Sequence, residues 1–310
     1  MLEMWWGLYR LVRSARIGLT RIEAALAKQF AQRPQALERL AQDASVRATR
    51  QHNMAADPDE SFYLRQYLFW LDQVIEARRY DWQGARVLDL GCGSGRLTLP
   101  LAERFAPAGV KEIVGLDVSG PAVAQAEAAA WQAGFQEVIT FIVSDALDFL
   151  RSSPSGRFQF IACIELLYGL PRYKEILSEL GRVITPGGLL FITFRPKYYN
   201  LLRMLFQRDA EGFNTVLSGE AGPIYGPSPF NWQTPQEAKR LLDQSGFKAG
   251  NVWAIGACSG IPGDPMASIA QPSRLSPEER NTLIDAEIKL AVEMPEAGRY
   301  FLIEAIRSGG

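Results

Sequence analysis

The stretch of this sequence that decides the fold is Arg86-Val87-Leu88-Asp89-Leu90-Gly91-Cys92-Gly93-Ser94-Gly95. Its first half is apolar and contains the β-branched Val87, which predicts a buried strand. Its second half carries three glycines at alternate positions, and glycine lets a backbone turn tightly and lets a ligand approach the main chain. Residues 96–105 predict a helix, in which Pro100 is tolerated because it lies in the first turns. The stretch therefore predicts the first strand, turn and helix of a nucleotide-type site.

Asp89, which precedes the first glycine by two residues, distinguishes between two classes of cofactor. A dinucleotide site spaces its glycines as G-x-G-x-x-G and places a pyrophosphate at the helix N-terminus. Here the spacing is G-x-G-x-G, and the carboxylate would repel a pyrophosphate but attract a cation. S-adenosylmethionine (SAM) has no phosphate and carries an ammonium and a sulfonium group. Residues 87–95 closely resemble the first motif of class I SAM-dependent methyltransferases.

The resemblance implies a set of cofactor contacts along the first strands. Asp117 ends the second predicted strand about 20 residues beyond the turn, where an acid accepts hydrogen bonds from both ribose hydroxyls; as an alternative, it is a solvated acid at a strand end. Asp145 follows the third strand and would bind the adenine amine, or it is a simple helix N-cap. The predicted SAM-binding residues are Asp89, Gly91, Cys92, Gly93, Gly95, Asp117, Val118, Asp145, Ala146 and Ile164.

The order of strand and helix patterns predicts an α/β fold. The implied architecture is a doubly wound, seven-stranded, mostly parallel sheet that ends in an antiparallel C-terminal hairpin, with an N-terminal helical extension. The hairpin strands are expected at 252–258 and 299–306. The resemblance covers residues 81–194, including the Pro-Gly-Gly turn at 186–188 that precedes the fifth strand.

We predict a domain organisation of two parts. Residues 1–80 form a helical extension or lid, and residues 81–310 form the methyltransferase domain. Residues 195–232 are rich in aromatic side chains and have no strong periodicity, so we expect an insertion that caps the substrate. Residues 259–297 form a second insertion, which begins as a loop and continues as a helix at 277–292.

The N-terminal 50 residues have a helical pattern with a basic face. They contain nine basic and four acidic residues, whereas the whole chain has a net charge of −1. Three interpretations are open: packing against the catalytic domain, a homodimer contact, or peripheral docking of residues 1–30 on a membrane surface. The apolar stripe consists of Trp5, Leu8, Val12, Ala15, Leu19, Ile22 and Leu26.

The composition argues against a nucleic-acid-binding, disulfide-rich, metal-binding or membrane-spanning protein. The near-neutral net charge gives no global attraction to nucleic acid, so no nucleic-acid partner is expected. The three cysteines are widely spaced and His52 is the only histidine, so we expect neither a disulfide framework nor a metal site. No apolar run is long enough for a transmembrane helix, and arginines occupy the N-terminus where a signal peptide needs its apolar core. These features predict a cytoplasmic enzyme.

Three residues are candidates for catalysis. Glu165 ends the fourth strand at the ligand-binding edge, and its alternatives are holding the ammonium of SAM or shaping the pocket. His52 is the only side chain with an ordinary pKa near neutrality, although a surface or capping role is equally open. Tyr168 is placed to orient an acceptor. Methyl transfer also proceeds by positioning alone, so a general base is not required.

The acceptor is predicted to be a small apolar or aromatic molecule. The order of elements resembles the O-methyltransferases of quinone and natural-product pathways, which implies methylation at oxygen or nitrogen. Gln159 and Tyr168-Gly169 depart from the acidic and Glu-His residues that many relatives carry. Two alternatives stay open: a methyltransferase of RNA or protein that docks through residues 1–50, and a SAM-binding scaffold without catalysis.

Overall fold

The computed structural model describes residues 57–224 and 230–309 of the chain. The helical pattern predicted within residues 1–50 lies outside the described residues, and so does His52. No helix in the described ranges is long and apolar enough to cross a membrane.

The first half of the described chain alternates helices and strands as predicted. After a 21-residue helix, each strand is followed by one helix, and a short 3-10 helix (Leu167–Gly169) follows the fourth strand. The elements are α1 (Pro58–Arg78), β1 (Arg86–Leu90), α2 (Thr98–Phe105), β2 (Glu112–Asp117), α3 (Gly120–Ala133), β3 (Ile139–Val143), α4 (Ala146–Ser152), β4 (Phe158–Cys163), α5 (Tyr173–Val183) and β5 (Ile184–Phe194).

The second half contains the two insertions and the final strands. Two 3-10 turns, Pro265–Ser268 and Pro272–Arg274, occupy the loop before the last helix. The elements are α6 (Lys197–Phe206), α7 (Ala210–Ser218), β6 (Ala221–Gly222), β7 (Phe230–Asn231), α8 (Pro235–Gln244), β8 (Phe247–Ile255), α9 (Pro277–Glu293) and β9 (Tyr300–Arg307).

The main sheet has seven strands in the order β3-β2-β1-β4-β5-β9-β8. Strands β1 to β5 are parallel to one another, and β9 runs antiparallel to both β5 and β8. This confirms the predicted sheet and hairpin, with β9 inserted between β5 and β8. The strand order reverses between β1 and β4, and ligands of such sheets bind at the carboxyl ends of the strands beside this reversal.

Alternate residues of each central strand pack on opposite faces of the sheet, as the period of two requires. On β1, Val87 belongs to the apolar core beneath α1, α2 and α9, whereas Leu88 belongs to the core beneath α4, α5 and α8. Helix α1 is fixed to the sheet by Trp70, whose ring stacks on Trp253 of β8 with 4.8 Å between the centroids. Helix α1 therefore packs on the same core as β1.

Several helices begin at a side chain that caps their first turn. Ser119 caps α3, with a proline in the first turn, and Thr234 and Glu237 form a complete capping box on α8. Helix α9 spans Pro277–Glu293, close to the predicted 277–292, and begins with a second capping box. Local hydrogen bonds of this kind satisfy the free amides of a first turn, which is why short sequence patterns locate helix starts well.

The region 195–232 is more regular than its sequence indicates. It contains α6, α7 and the β6–β7 pair, although the sequence has no strong periodicity here. Both helices are short, with 10 and 9 residues, so each spans too few turns to give a clear pattern. They pack on a separate small core around Trp232, and Leu205, Phe206 and Leu217 are exposed. Tyr225, which the prediction includes in this cap, lies outside the described residues.

Candidate active site

The glycine turn after β1 has left-handed backbone conformations, with φ of 84° at Gly91, 54° at Gly93 and 84° at Gly95. The amide of Gly91 donates to the carbonyl of Leu116 over 2.8 Å, which fixes the turn against β2. A Cβ added at Gly95 would lie 3.2 Å from the Cβ of Ala126, so this glycine allows close packing of α3. A Cβ added at Gly93 would meet nothing within 4 Å, so the main chain is accessible there.

Asp117 lies beside this accessible turn at the end of β2. Its Oδ2 accepts a hydrogen bond from the Gly93 amide at 2.9 Å, and its Oδ1 accepts one from the Ser119 amide at 2.8 Å. Burial raises the pKa of Asp117 above its ordinary value, although the hydrogen bonds from these amides oppose the shift. Each carboxylate oxygen has two lone pairs, so Asp117 can still accept hydrogen bonds from hydroxyl groups of a ligand.

Asp145 begins helix α4 and follows β3. Its Oδ1 accepts hydrogen bonds from the amides of Leu147 at 2.9 Å and Asp148 at 3.1 Å, so the residue is an N-cap. The amide of Ser144 donates to the carbonyl of Asp117 over 3.1 Å, which holds the ends of β3 and β2 together. The capping role is thus present in the fold, and the predicted contact with adenine stays a prediction.

The other predicted cofactor contacts border these two acids. Val118 follows Asp117 and is half-buried, and Ala146 follows Asp145 and is half-buried as well. Cys92 and Ile164 are buried at the ends of β1 and β4. The fold therefore brings the predicted set to adjacent strand ends, which is the arrangement that a shared ligand requires.

Asp89 is buried inside β1, with 2% of its surface exposed. Its Oδ2 accepts a hydrogen bond from the Thr98 hydroxyl at 2.6 Å, which ties the strand to the start of α2. Burial raises the pKa of Asp89 to about 6, and the hydrogen bond from Thr98 lowers it only in part. The structure gives this carboxylate a role inside the fold, and its predicted attraction for a cofactor cation is untested.

Glu165 follows the end of β4 in a left-handed conformation, with φ of 56°. Such a backbone is uncommon for a residue with a Cβ and is often found at functional sites. The amide of Glu165 donates to the Thr193 hydroxyl over 2.6 Å. Its Oε1 accepts hydrogen bonds from the Tyr67 hydroxyl at 2.9 Å and the Arg96 guanidinium at 3.1 Å.

The surroundings of Glu165 keep its carboxylate ionised. Burial alone would raise the pKa of Glu165, but the positive charges of Arg96 and Arg299 and the hydrogen bonds from Arg96 and Tyr67 lower it below the ordinary value. A carboxylate with a lowered pKa that is already paired with a guanidinium is a weak general base. The geometry thus favours the alternative role for Glu165, that of shaping the pocket, over proton abstraction.

Glu165 is part of a larger buried network that joins distant segments of the chain. Arg96 contacts both Glu165 and Glu60, each at 3.1 Å between nitrogen and oxygen. Arg299 contacts Glu60 at 3.3 Å and Asp264 at 3.0 Å. The network therefore links α1, the glycine turn, the end of β4 and the second insertion.

Sequence reasoning missed most of this network. Arg96 follows the glycine turn directly, so its position beside the motif was a usable signal. Glu60, Asp264 and Arg299 are separated from it by long stretches of chain, and nothing local in the sequence indicates that they meet. Their ion pairs in the folded chain, where 2%, 4% and 7% of their surfaces are exposed, show that they belong to one buried network.

Tyr168 lies in the 3-10 helix after β4 and is half-buried. The guanidinium carbon of Arg195 lies 5.1 Å from the centre of the Tyr168 ring, 4.9 Å from that of Tyr199 and 4.2 Å from that of Tyr300. Tyr168 also packs against Phe230, with 5.0 Å between ring centroids. The fold thus places Glu165 and Tyr168 together at the carboxyl edge, while His52 lies outside the described residues.

Comparison with protein families gives a match that spans this site. A family model described as a methyltransferase domain matches residues 82–246, which is more than half of the chain. The matched range includes the glycine turn, Asp117, Asp145 and Glu165.

Two curated relatives are similar in sequence. Trans-aconitate 2-methyltransferase of Deinococcus radiodurans is 32% identical over 180 residues, which cover 57% of this chain and 62% of that protein. Demethylmenaquinone methyltransferase of Thermus thermophilus is 32% identical over 169 residues, which cover 52% of this chain and 74% of that protein. The chain thus spans less than two thirds of the length of the first relative.

A solved structure supports the fold. The crystal structure of a S-adenosylmethionine-dependent methyltransferase from Mesorhizobium loti superimposes with a TM-score of 0.51 at 21% sequence identity. The superposition covers 76% of this chain and 96% of that one. At this identity the likeness concerns the architecture of the sheet and its helices.

Proposed function

The chain belongs to the methyltransferase-domain family of SAM-dependent enzymes, and from this premise we propose that it methylates an oxygen or nitrogen atom of a small-molecule acceptor. The observation that carries the proposal is the accessible main chain at Gly93 with the Asp117 carboxylate bonded to it. The two relatives described above are named for small-molecule methylation, of trans-aconitate and of demethylmenaquinone.

The residues at the ends of β1, β2 and β3 fit SAM. Gly93 leaves room for a ligand against the backbone, and Asp117 offers carboxylate oxygens to ribose hydroxyls. Asp145 and the half-buried Val118 border the same edge and are assigned to adenine. Bound SAM would supply an electrophilic methyl group on a positively charged sulfur.

The acceptor is assigned to the carboxyl ends of β4 and β5. Arg96 donates a hydrogen bond to the Glu165 carboxylate at 3.1 Å, and the Tyr67 hydroxyl of α1 donates to the same carboxylate. We assign these mutually bonded side chains to one side of the acceptor site. Tyr168 follows Glu165 by three residues, and we assign its half-buried ring to contact with an apolar acceptor. We assign residues 195–232 to the cap over this side and α1 to the lid, because both regions contribute residues to the cluster around Glu165 and Tyr168.

Positioning is the contribution of these residues to the reaction. The Glu165 carboxylate is ionised and already accepts two hydrogen bonds, so it orients its neighbours and does not take a proton. An acidic hydroxyl on the acceptor loses its proton to water, and an amine loses its proton after the methyl group has been transferred. Holding the acceptor atom in line with the methyl group is a large rate contribution on its own.

Calorimetry with SAM and its demethylated product tests the cofactor assignment. We expect Asp117→Ala to weaken binding of both by about tenfold or more, because two hydroxyl contacts to a charged acceptor are lost. The exposed Asp148 on α4 provides the matched control, and Asp148→Ala should leave the affinity unchanged. Absence of SAM binding by the full chain would overturn the proposed function.

Turnover is tested separately with tritium-labelled SAM. A panel of small phenols, carboxylic acids and amines, together with a total RNA and a protein extract, distinguishes the acceptor classes. Label in a small molecule supports the proposal, whereas label only in RNA or protein would replace it with methylation of a macromolecule. SAM binding without label in any fraction would identify a non-catalytic scaffold.

A further inference from the structure

Arg195 is a buried cation at the acceptor side of the sheet. It directly follows Phe194, the last residue of β5, and only 4% of its surface is exposed. Its contact with the Tyr168 ring places it beside the segment that follows β4, and its contact with the Tyr300 ring places it beside the start of β9. Its guanidinium therefore lies at the edge to which the methyl acceptor is assigned.

The neighbouring arginines all have carboxylate partners. Arg96 lies against Glu60 and Glu165, and Arg299 lies against Glu60 and Asp264. Arg203 contacts Asp264 at 3.2 Å. Three carboxylates are thus paired with three arginines, so the charges of this group cancel without Arg195.

Arg195 itself has no carboxylate within ion-pair distance in the described part of the chain. Its Nη1 donates a hydrogen bond to the carbonyl of Arg299 at 2.9 Å. Its Nε is buried and has no hydrogen-bond partner among residues 57–224 and 230–309. The remaining contacts are the faces of three tyrosine rings, at 4.2 to 5.1 Å from the guanidinium carbon.

An arrangement of this kind is unfavourable unless something compensates the charge. Buried charges in proteins are normally paired and hydrogen-bonded, because removing them from water is costly. The tyrosine faces provide attraction to a cation, but they do not accept a hydrogen bond from Nε in its own plane. The Nε edge of a guanidinium is also a side that forms paired hydrogen bonds with a planar carboxylate.

We propose that Arg195 is the counter-ion for a carboxylate group of the methyl acceptor, which makes the acceptor a small organic acid. The inference rests on the proposed function and names the substrate class of that same site. Tyr168 and Tyr300 lie against the guanidinium with flat, largely apolar rings, which suits an acid carried on an unsaturated or aromatic skeleton. Arg195 is a specificity-determining residue in this account, since it recognises a group other than the reacting atom.

Paired probes, each an acid and its neutral methyl ester, test the proposal. Calorimetry on the full chain saturated with the demethylated product of SAM compares trans-aconitate with its trimethyl ester, and 4-hydroxybenzoate with its methyl ester. We expect at least one acid to bind about tenfold or more tightly than its ester, because a buried charge pair and its hydrogen bonds are lost in the ester. Equal binding of acid and ester in both pairs, or no binding of either acid, would overturn the inference.

Variants of Arg195 test whether this residue causes the tighter binding of the acid than of its ester. Arg195→Met should remove the advantage of the acid and leave the affinity for the ester unchanged. Arg195→Lys keeps the positive charge but lacks the planar guanidinium, so it should retain part of the preference for the acid. If the methionine variant does not fold, the lysine variant alone tests the role of Arg195. Arg203→Met is the matched control because it removes a nearby but paired cation, and it should retain the full preference. Full preference in Arg195→Met or Arg195→Lys would show that the carboxylate binds elsewhere.

Thermal unfolding distinguishes recognition from a structural role. A cation retained for a ligand contributes little to the stability of the free protein, so Arg195→Met should melt within about 2 °C of the wild type or above it. A large fall in melting temperature with the acid preference intact would show that Arg195 has a structural role, packing between the tyrosine rings. Binding of the demethylated product of SAM is measured in every variant, so loss of the proposed function is seen separately from loss of the acid preference.

Discussion

The two halves of the site are built in different ways. The cofactor side, at the ends of β1, β2 and β3, is made mainly of main-chain groups and two acids at the ends of consecutive strands. The acceptor side, at the ends of β4 and β5, is made of side chains from α1, the glycine turn, the second insertion and β9. The amide of Gly93 bonded to Asp117 represents the first kind of contact, and Arg96 between Glu60 and Glu165 represents the second.

The difference has a physical basis. A turn of glycines and a strand-end acid can be positioned by the sheet alone, so the cofactor side needs little support from elsewhere. Buried carboxylates and guanidiniums must each find a partner, so the acceptor side is stable only when several segments arrive together. Binding on one side therefore depends on local geometry, and on the other it depends on the whole fold.

Substitution of Arg299 gives the largest expected effect. Arg299→Met leaves Glu60 and Asp264, both almost fully buried, without one of their charge partners. We expect a loss of about 3–5 kcal/mol in the free energy of unfolding, since breaking a buried pair strands an uncompensated charge. Urea unfolding followed by circular dichroism measures it.

An exposed ion pair supplies the control for this substitution. Lys174 and Glu220 lie 3.1 Å apart with side chains 58% and 60% exposed, so Lys174→Met should cost less than about 1 kcal/mol. Suppose that both variants lost the same small free energy of unfolding. The acceptor side would then not depend on ion pairs between distant segments, and the contrast with the cofactor side would be wrong.

Asp89, on the cofactor side, is an acid whose environment gives a pH-dependent stability. The pKa of Asp89 is raised to about 6 by burial, above the ordinary value of 3.8, so the folded state binds this proton more tightly than the unfolded state does. Stability contributed by this group is therefore present at low pH, falls as the pH rises between about 4 and 6, and is constant above that range.

Asp89→Asn isolates this effect, because an amide oxygen still accepts the Thr98 hydrogen bond but does not titrate. Between pH 4 and pH 7, we expect the stability of the wild type relative to the variant to fall by up to about 3 kcal/mol. Unfolding free energies of both proteins across this range provide the measurement. A constant difference between them would mean that Asp89 is ionised in the fold at acid pH.

The same contrast explains how much the sequence can predict. The glycine turn, Asp117 and the N-cap Ser119 are local, and each is recognisable from a few adjacent residues because one turn or one helix start requires it. The sheet follows from such units because short connections leave few ways to arrange them. The pairing of Arg299 with Glu60 depends on packing between segments 239 residues apart, so no local pattern indicates it.

Asp145 allows the smallest but sharpest test, because its two interpretations are both local. As an N-cap it stabilises α4, so Asp145→Ala should cost about 1 kcal/mol, whereas Asp145→Ser keeps a good N-cap and should cost little. If the Asp145 carboxylate accepts a hydrogen bond from the adenine amine, neither alanine nor serine can replace it. Both variants should then lose SAM affinity several-fold, as calorimetry would measure. If the serine variant bound SAM as tightly as the wild type, Asp145 would belong to the fold alone, and adenine selection would have to come from the backbone and apolar neighbours around Val118 and Ala146.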